Sequence, residues 1–200
     1  CVDEKECIVV DQVADDLISA MQRHGAVLLP KTDLQRLEKV IFKEMAGPRG
    51  HAKIDRDLVG KDASVILGKL GIQAGLEARC VLVEVDNDHP LIWTEQMMPV
   101  LPVTRTPNVD AAIELAIGAE GGCFHTASMH SHDLRALSKM ARECNCSIFV
   151  KNGRCVSGLS AGGEGWTSFT IASPTGEGLT TPLSFSRWRR CTLVDHFRIV

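Results

Sequence analysis

The 200 residues carry a formal charge of -3, and 44% of them are hydrophobic and 24% charged. These proportions are typical of a globular protein and argue against a disordered, collagen-like or disulfide-dense chain. The near-neutral charge offers no basic stripe for phosphates, so we expect no nucleic-acid partner. No apolar run in the sequence is long enough to span a bilayer, so we expect no membrane partner.

The first part of the chain alternates between strand-like and helix-like apolar periods. An N-cap residue or a capping box indicates where a helix begins, and a glycine indicates where it ends. The predicted elements are a strand over 7–10, a helix over 13–23, a helix opened by a capping box at Thr32 and Gln35, a polar loop over 47–57, and a helix over 63–70 capped by Asp62.

The alternation becomes more regular in the second part. The predicted elements are strands over 78–85 and 99–103, a helix over 109–119 capped by Asn108 and ended by Gly121, a strand over 123–129, a helix over 133–143, and a strand over 147–150. Strands and helices that alternate with short connections favour a mostly parallel sheet with helices on both faces. The predicted fold class is therefore α/β, a three-layer α/β/α domain.

The last fifty or so residues change character. Residues 153–178 are rich in glycine and poor in helix signals, which is typical of an irregular segment that is functional or packed over a site. Residues 191–200 alternate between apolar and polar types, which predicts a strand with two unlike faces. Such a strand needs a partner edge, in its own sheet or in another subunit.

Metal binding is not expected from the histidines and cysteines. The eight cysteines show no paired metal-ligand spacing, and reduced thiols of a cytoplasmic enzyme are the simplest interpretation. On a strand, His125 and His130 would lie on opposite faces, so they would not converge on one ion. The Cys-x-Cys spacing of Cys144 and Cys146 is poor geometry for tetrahedral zinc.

Several long motifs resemble one known family. Residues 95–103, Glu-Gln-Met-Met-Pro-Val-Leu-Pro-Val, resemble the Glu-x-x-x-Pro-Val segment of the aldehyde dehydrogenase superfamily, and the Met-Met form is similar to that of its CoA-acylating members. Residues 120–131, 148–153, 162–178 and 189–200 resemble the same branch in the same order. The resemblance is to the acetaldehyde and propionaldehyde dehydrogenases of ethanolamine and propanediol utilisation, and it covers essentially the whole chain.

This resemblance implies a domain organisation and partners. It implies that residues 1–184 form the catalytic domain, that residues 185–200 form a C-terminal oligomerisation arm, and that the N-terminal NAD-binding domain is absent. A homo-oligomer held through the last strand is then expected, together with possible association with a bacterial microcompartment shell in the cytoplasm. The chain by itself is expected to be inactive.

The resemblance also assigns three site residues. Cys1-Val2-Asp3-Glu4, ahead of Val9-Val10-Asp11, matches the placement of the family's nucleophile, so Cys1 is the implied nucleophile. Glu95 matches the residue that hydrogen-bonds the nicotinamide ribose, and His125 is a candidate base. The alternatives are a processing scar at Cys1, a solvated carboxylate at Glu95, and an ordinary polar strand residue at His125.

The implied reaction converts a small aldehyde, NAD and coenzyme A to acyl-CoA and NADH through a cysteine thioester, with coenzyme A as co-substrate. A first alternative is oxidation to a free acid by hydrolysis, against which the Met-Met and His-Thr-Ala elements weigh. A second alternative is a non-catalytic domain retained for assembly or scaffolding. No metal is expected in the site.

Overall fold

A computed structural model describes residues 2–165, 171–172 and 178–194. Its strands are β1 (Cys7–Val10), β2 (Ala26–Leu28), β3 (Phe42–Glu44), β4 (Lys53–Ile54), β5 (Cys80–Glu84), β6 (Val100–Thr106), β7 (Thr126–Met129), β8 (Ile148–Lys151), β9 (Ile171–Ala172) and β10 (Gly178–Leu179). Its helices are α1 (Asp11–Arg23), α2 (Leu34–Ile41), α3 (Ala63–Lys69), α4 (Pro90–Trp93), α5 (Val109–Glu120) and α6 (Leu134–Cys144). In this described part, the helices are too short or too polar to cross a membrane.

The central sheet has four parallel strands in the order β1-β6-β5-β2. β7 and β8 form a separate parallel pair, whereas β3 with β4 and β9 with β10 form small antiparallel pairs. Parallel strands require crossover connections, and helices supply them here. The predicted α/β class with a mostly parallel sheet is confirmed.

Strand β5 shows how the sheet separates two helical layers. Val81 and Val83 join the cluster that holds the buried side chains of α2 and α3, whereas Leu82 joins the cluster that holds Ala14 and Ile18 of α1. Successive strand residues point to opposite faces, so both faces of the sheet are covered. Each fully buried aliphatic side chain contributes about 1.5–3 kcal/mol to this packing. The predicted three layers follow directly from it.

A third apolar cluster joins α5 and α6 to the β7–β8 pair. Its buried members are Ile113 of α5 and Met140 and Cys144 of α6. Asn108 caps α5 through its side chain, and Gly121 ends the helix with a left-handed φ of 70°. Both signals were predicted from the sequence, and both are confirmed.

The capping box predicted at Thr32 and Gln35 is wrong. Lys31–Asp33 form a 3₁₀ turn, and α2 begins only at Leu34, with Asp33 in the N-cap position and no side-chain capping bond. Pro30 precedes the turn with extended backbone, so the chain enters the helix through a tighter turn than the motif assumes.

Three further differences concern short segments. The 47–57 loop contains β4 and a 3₁₀ turn over Arg56–Leu58. The strand predicted over 123–129 begins only at Thr126, because Phe124 has a left-handed φ of 51° that a strand cannot include. Of the predicted last strand, residues 191–194 have no regular secondary structure and 195–200 lie outside the described residues.

Candidate active site

The topology brings two of the three predicted site segments to the same edge of the sheet. Cys1 precedes β1 and Glu95 precedes β6, and these two strands are parallel neighbours. The amino ends of parallel neighbours meet at one edge, so the two segments are adjacent. Cys1 itself lies outside the described residues. His125 occupies the equivalent place before β7.

A cavity of about 710 Å³ opens where these segments meet. Its walls include the residues that follow Cys1 and the segment that carries Glu95, among them Asp3, Glu4, Lys5, Glu95, Gln96 and Met97. Glu95 is exposed on this wall, so its carboxylate is accessible to a bound molecule. The described lining does not include His125.

The segment that carries Glu95 is held by the residues on either side of it. Gln96 is only 2% exposed and its side-chain amide donates to Leu91 O at 2.5 Å, while the hydroxyl of the buried Thr94 accepts from Ala52 N at 2.9 Å. In an extended stretch successive side chains alternate in direction. Anchoring Thr94 and Gln96 in the interior therefore turns Glu95 outward, into the cavity.

The lining suits a dinucleotide. The exposed carboxylate of Glu95 can accept hydrogen bonds from the vicinal hydroxyls of a ribose. Lys61 and Arg79 line the same cavity and supply positive charge for phosphates. Glu95, Lys61 and Arg79 are therefore the lining residues that could hold a nicotinamide cofactor, with Glu95 at its ribose.

The chain that follows Cys1 is fixed to distant parts of the fold. Glu4 accepts a hydrogen bond from Cys155 N at 2.9 Å, at the start of the 3₁₀ turn over Cys155–Leu159. The next carboxylate, Glu6, is largely buried. Burial raises the pKa of Glu6 above its ordinary value, the adjacent Lys5 ammonium opposes the shift, and the Glu120 carboxylate adds to it.

His125 is positioned by the end of α5. Both carboxylate oxygens of Glu120 accept backbone hydrogen bonds from the loop that follows. Oε1 accepts from His125 N and Oε2 accepts from Gly122 N, each at 3.0 Å. The His125 ring is half-buried, with Nδ1 2.8 Å from Thr126 Oγ1. If Nδ1–H donates to this hydroxyl, Nε2 keeps its lone pair and can act as a base.

Sequence reasoning missed Glu4, Gln96 and Glu120. Their roles depend on partners that only the fold brings together, and a glutamine or glutamate alone carries no signal of that kind. Glu120 was quoted within the family motif, but not as the residue that holds the His125 loop.

The described cysteines are all free thiols. Burial raises the pKa of Cys7 and of Cys80 to about 11 and that of Cys155 to about 12, so these thiols are poor nucleophiles near neutral pH. In the described ranges, no three His, Cys, Asp or Glu side chains are grouped so as to hold a metal ion.

Comparison with curated proteins gives close relatives. The chain is 50% identical to the acetylating acetaldehyde dehydrogenase EutE of Escherichia coli (strain K12), over all of this chain and 43% of EutE. The chain therefore spans less than half the length of this relative.

Two solved structures are also similar. A propionaldehyde dehydrogenase from Rhodopseudomonas palustris, with bound CoA and an acylated cysteine, matches with a TM-score of 0.86 and 44% identity, over 96% of this chain and 43% of that one. A histidine-to-alanine variant of the propionaldehyde dehydrogenase from the Clostridium phytofermentans fucose utilisation bacterial microcompartment matches with a TM-score of 0.86 and 35% identity, over 100% of this chain and 45% of that one.

The chain also matches a protein family over most of its length. Residues 1–174 match the aldehyde dehydrogenase family. This match covers most of the chain, including the segments before β1, β6 and β7 that carry the candidate site residues. The chain belongs to the aldehyde dehydrogenase family.

Proposed function

We propose that this chain provides the catalytic cysteine and the acyl-transfer site of a CoA-acylating aldehyde dehydrogenase. The complete reaction converts a short-chain aldehyde, NAD and CoA to acyl-CoA and NADH. The observation that carries the proposal is the cavity in which the residues after Cys1 meet Glu95. The acetylating relative and the CoA-bound relative with an acylated cysteine support the same reaction.

In this proposal Cys1 is the nucleophile. Its thiolate sulfur bonds to the aldehyde carbon, which gives a thiohemiacetal. A bound nicotinamide supplies the acceptor for the hydride that then leaves this carbon. The product is a thioester on Cys1. The thiol of CoA attacks the thioester carbon, the bond to the Cys1 sulfur breaks, and acyl-CoA leaves.

His125 and Glu95 have separate roles in this scheme. Nε2 of His125 takes the proton from the thiohemiacetal hydroxyl or from the CoA thiol, with the ring oriented by Thr126. Glu95 holds the nicotinamide ribose from the cavity wall.

We further propose that residues 1–184 form the catalytic domain and that residues 185–200 form an arm that pairs with a second copy of the chain. Large apolar side chains near this boundary face solvent, with exposures of 72% for Phe185, 97% for Trp188 and 67% for Val194. Such a run of exposed apolar groups is typical of a surface that a partner covers. A cytoplasmic location within a bacterial microcompartment fits the origin of the Clostridium phytofermentans relative.

The direct test is a chimera in which this chain replaces the matching 43% of Escherichia coli EutE. With acetaldehyde and NAD we expect acetyl-CoA and sustained NADH formation only when CoA is present, with no more than one NADH per Cys1 in its absence, and Cys1→Ser to abolish both. Release of acetate without CoA would instead show a hydrolytic enzyme. A folded chimera with no turnover would favour a domain retained for assembly.

A further inference from the structure

The Lys5 side chain makes three polar contacts near the amino edge of the central sheet. Its ammonium donates to Ile92 O at 2.7 Å and to Ala119 O at 3.2 Å, and it pairs with Glu6 Oε2 at 3.0 Å. The lysine side chain is only 22% exposed. Two of the three N–H donors of the ammonium are used by the two carbonyls, while Glu6 Oε2 lies at ion-pair distance without a hydrogen bond.

The two carbonyls belong to the ends of different helices. Ile92 lies in the last turn of α4, immediately before the segment that carries Glu95. Ala119 lies in the last turn of α5, next to Glu120, whose carboxylate holds the loop that carries His125. Carbonyls at a helix C-terminus lack an intrahelical donor and carry partial negative charge, so a cation is the matching partner.

We propose that Lys5 is a positioning residue that joins the three segments carrying Cys1, Glu95 and His125. This inference rests on the proposed function, in which those three residues act together. Lys5 sits in the same short stretch as Cys1, and its two carbonyl acceptors precede the other two segments. One side chain thereby ties the stretch that follows Cys1 to the segments that carry Glu95 and His125.

A charged group is required at this position. The carbonyls point to one place from two helices, and a compact ammonium can donate in several directions, whereas the donors of an arginine lie in one plane. Glu6 Oε2 lies 3.0 Å from the ammonium, within ion-pair distance. An apolar replacement would leave both helix-end carbonyls without this donor and would release the segment from them.

The test compares Lys5→Met, Lys5→Arg and a control in the EutE chimera. Lys53→Met is the matched control, because Lys53 also pairs with a glutamate, Glu44, but at the surface. We expect Lys5→Met to lower kcat per titrated Cys1 by at least ~10-fold, since misplacement of reacting groups by about 1 Å can cost ~10²-fold. The KM for aldehyde should change far less, Lys5→Arg should recover part of kcat, and Lys53→Met should match the parent.

Hydrogen exchange in the same proteins provides the second measurement. Lys5→Met should speed exchange at residues 94–96 and 121–125 together, and Lys53→Met should not. An unchanged kcat per active site, unchanged exchange in these two segments, or a uniform rise across the chain would overturn the positioning role. If the parent chimera lacks CoA-dependent turnover, the proposed function fails, while the exchange data still decide whether Lys5 joins the segments.

Discussion

His125 combines a fixed backbone with a half-buried ring, which suits a group that must meet a proton at a defined position. Glu120 holds its N–H, and Thr126 Oγ1 lies 2.8 Å from Nδ1. A general base typically contributes 10²–10⁴-fold to a rate. In the chimera we expect His125→Ala to reduce kcat by at least ~10²-fold, measured as NADH formation under saturating aldehyde and CoA.

The neighbouring exposed His130 offers a matched control for this prediction. It lies just beyond β7, so His130→Ala should leave kcat within about twofold of the parent, as expected for a surface substitution. Equal rates for His125→Ala and the parent would show that His125 is an ordinary polar residue and not a base.

Glu6 should make the stability of the protein depend on pH in a predictable direction. Burial holds its pKa above the ordinary 4.5, so the folded state binds the proton more tightly than the unfolded state does. At pH values below the ordinary pKa, Glu6 is protonated in both states and does not lower the free energy of unfolding. As the pH rises through the folded-state pKa, the buried carboxyl ionises and the free energy of unfolding falls. We expect Glu6→Gln, which removes the charge and keeps the shape, to raise Tm at neutral pH.

The sign can be checked by thermal unfolding over a pH series. The gain in Tm from Glu6→Gln should shrink as the pH falls below the ordinary pKa, because the native glutamate is then protonated in both states. A lower Tm for Glu6→Gln at neutral pH, with the difference disappearing towards acid, would mean that the Lys5 ion pair outweighs the cost of burying the carboxylate.

At the scale of elements, the helix caps differ in what their side chains do. Asn108 Oδ1 accepts from Ala111 N at 2.9 Å, whereas Asp62 occupies the N-cap of α3 without a side-chain capping bond. Loss of a capping side chain typically costs about 1 kcal/mol. We expect Asn108→Ala to lower the Tm of the chain by about 2–4 °C, following the usual scaling for a chain of this size.

Asp62→Ala is the natural control for the cap, and thermal unfolding followed by circular dichroism is the measurement. With no bond to lose, it should change stability by no more than about 0.5 kcal/mol. Comparable losses in the two variants would indicate that the capping hydrogen bond of Asn108 is not what distinguishes the two caps.

The sequence predicted the long elements well and the short ones poorly, for a physical reason. Helices such as α1 and α6 present several apolar turns to the core, so their period is visible without the fold. β2 has three residues and β4 has two, which is too few to show alternation. Such strands exist because a neighbour pairs with them, and pairing is a property of the tertiary structure.

The candidate site residues also divide into those that the sequence predicts and those that only the fold reveals. Cys1, Glu95 and His125 stand in motifs that resemble a family, so they could be named from the sequence. The contacts of Lys5 span 87 and 114 residues and that of Glu4 spans 151 residues. No local pattern encodes partners so far apart, so the residues that join the site segments emerge only from the fold.

At the scale of the whole molecule, the exposed apolar side chains around the proposed arm suggest how copies associate. Leu183, Phe185, Trp188, Leu193 and Val194 all face solvent in a single chain. Burying apolar area against a second copy would release about 25 cal/mol for each Å² covered. We therefore expect the chimera to be an oligomer and deletion of residues 185–200 to shift it to monomer in light scattering coupled to size-exclusion chromatography.

Trp188→Ala refines this prediction, because it removes the most exposed aromatic group without shortening the chain. Large aromatic side chains often dominate interface energetics, so this single change should weaken association by at least ~10-fold in Kd. Asp110→Ala removes an exposed charge from α5, outside residues 185–200, and should leave the oligomer unchanged. An oligomer that survives deletion of the arm would mean that the subunits contact each other through another surface. The exposed Trp188 would then not belong to the subunit interface.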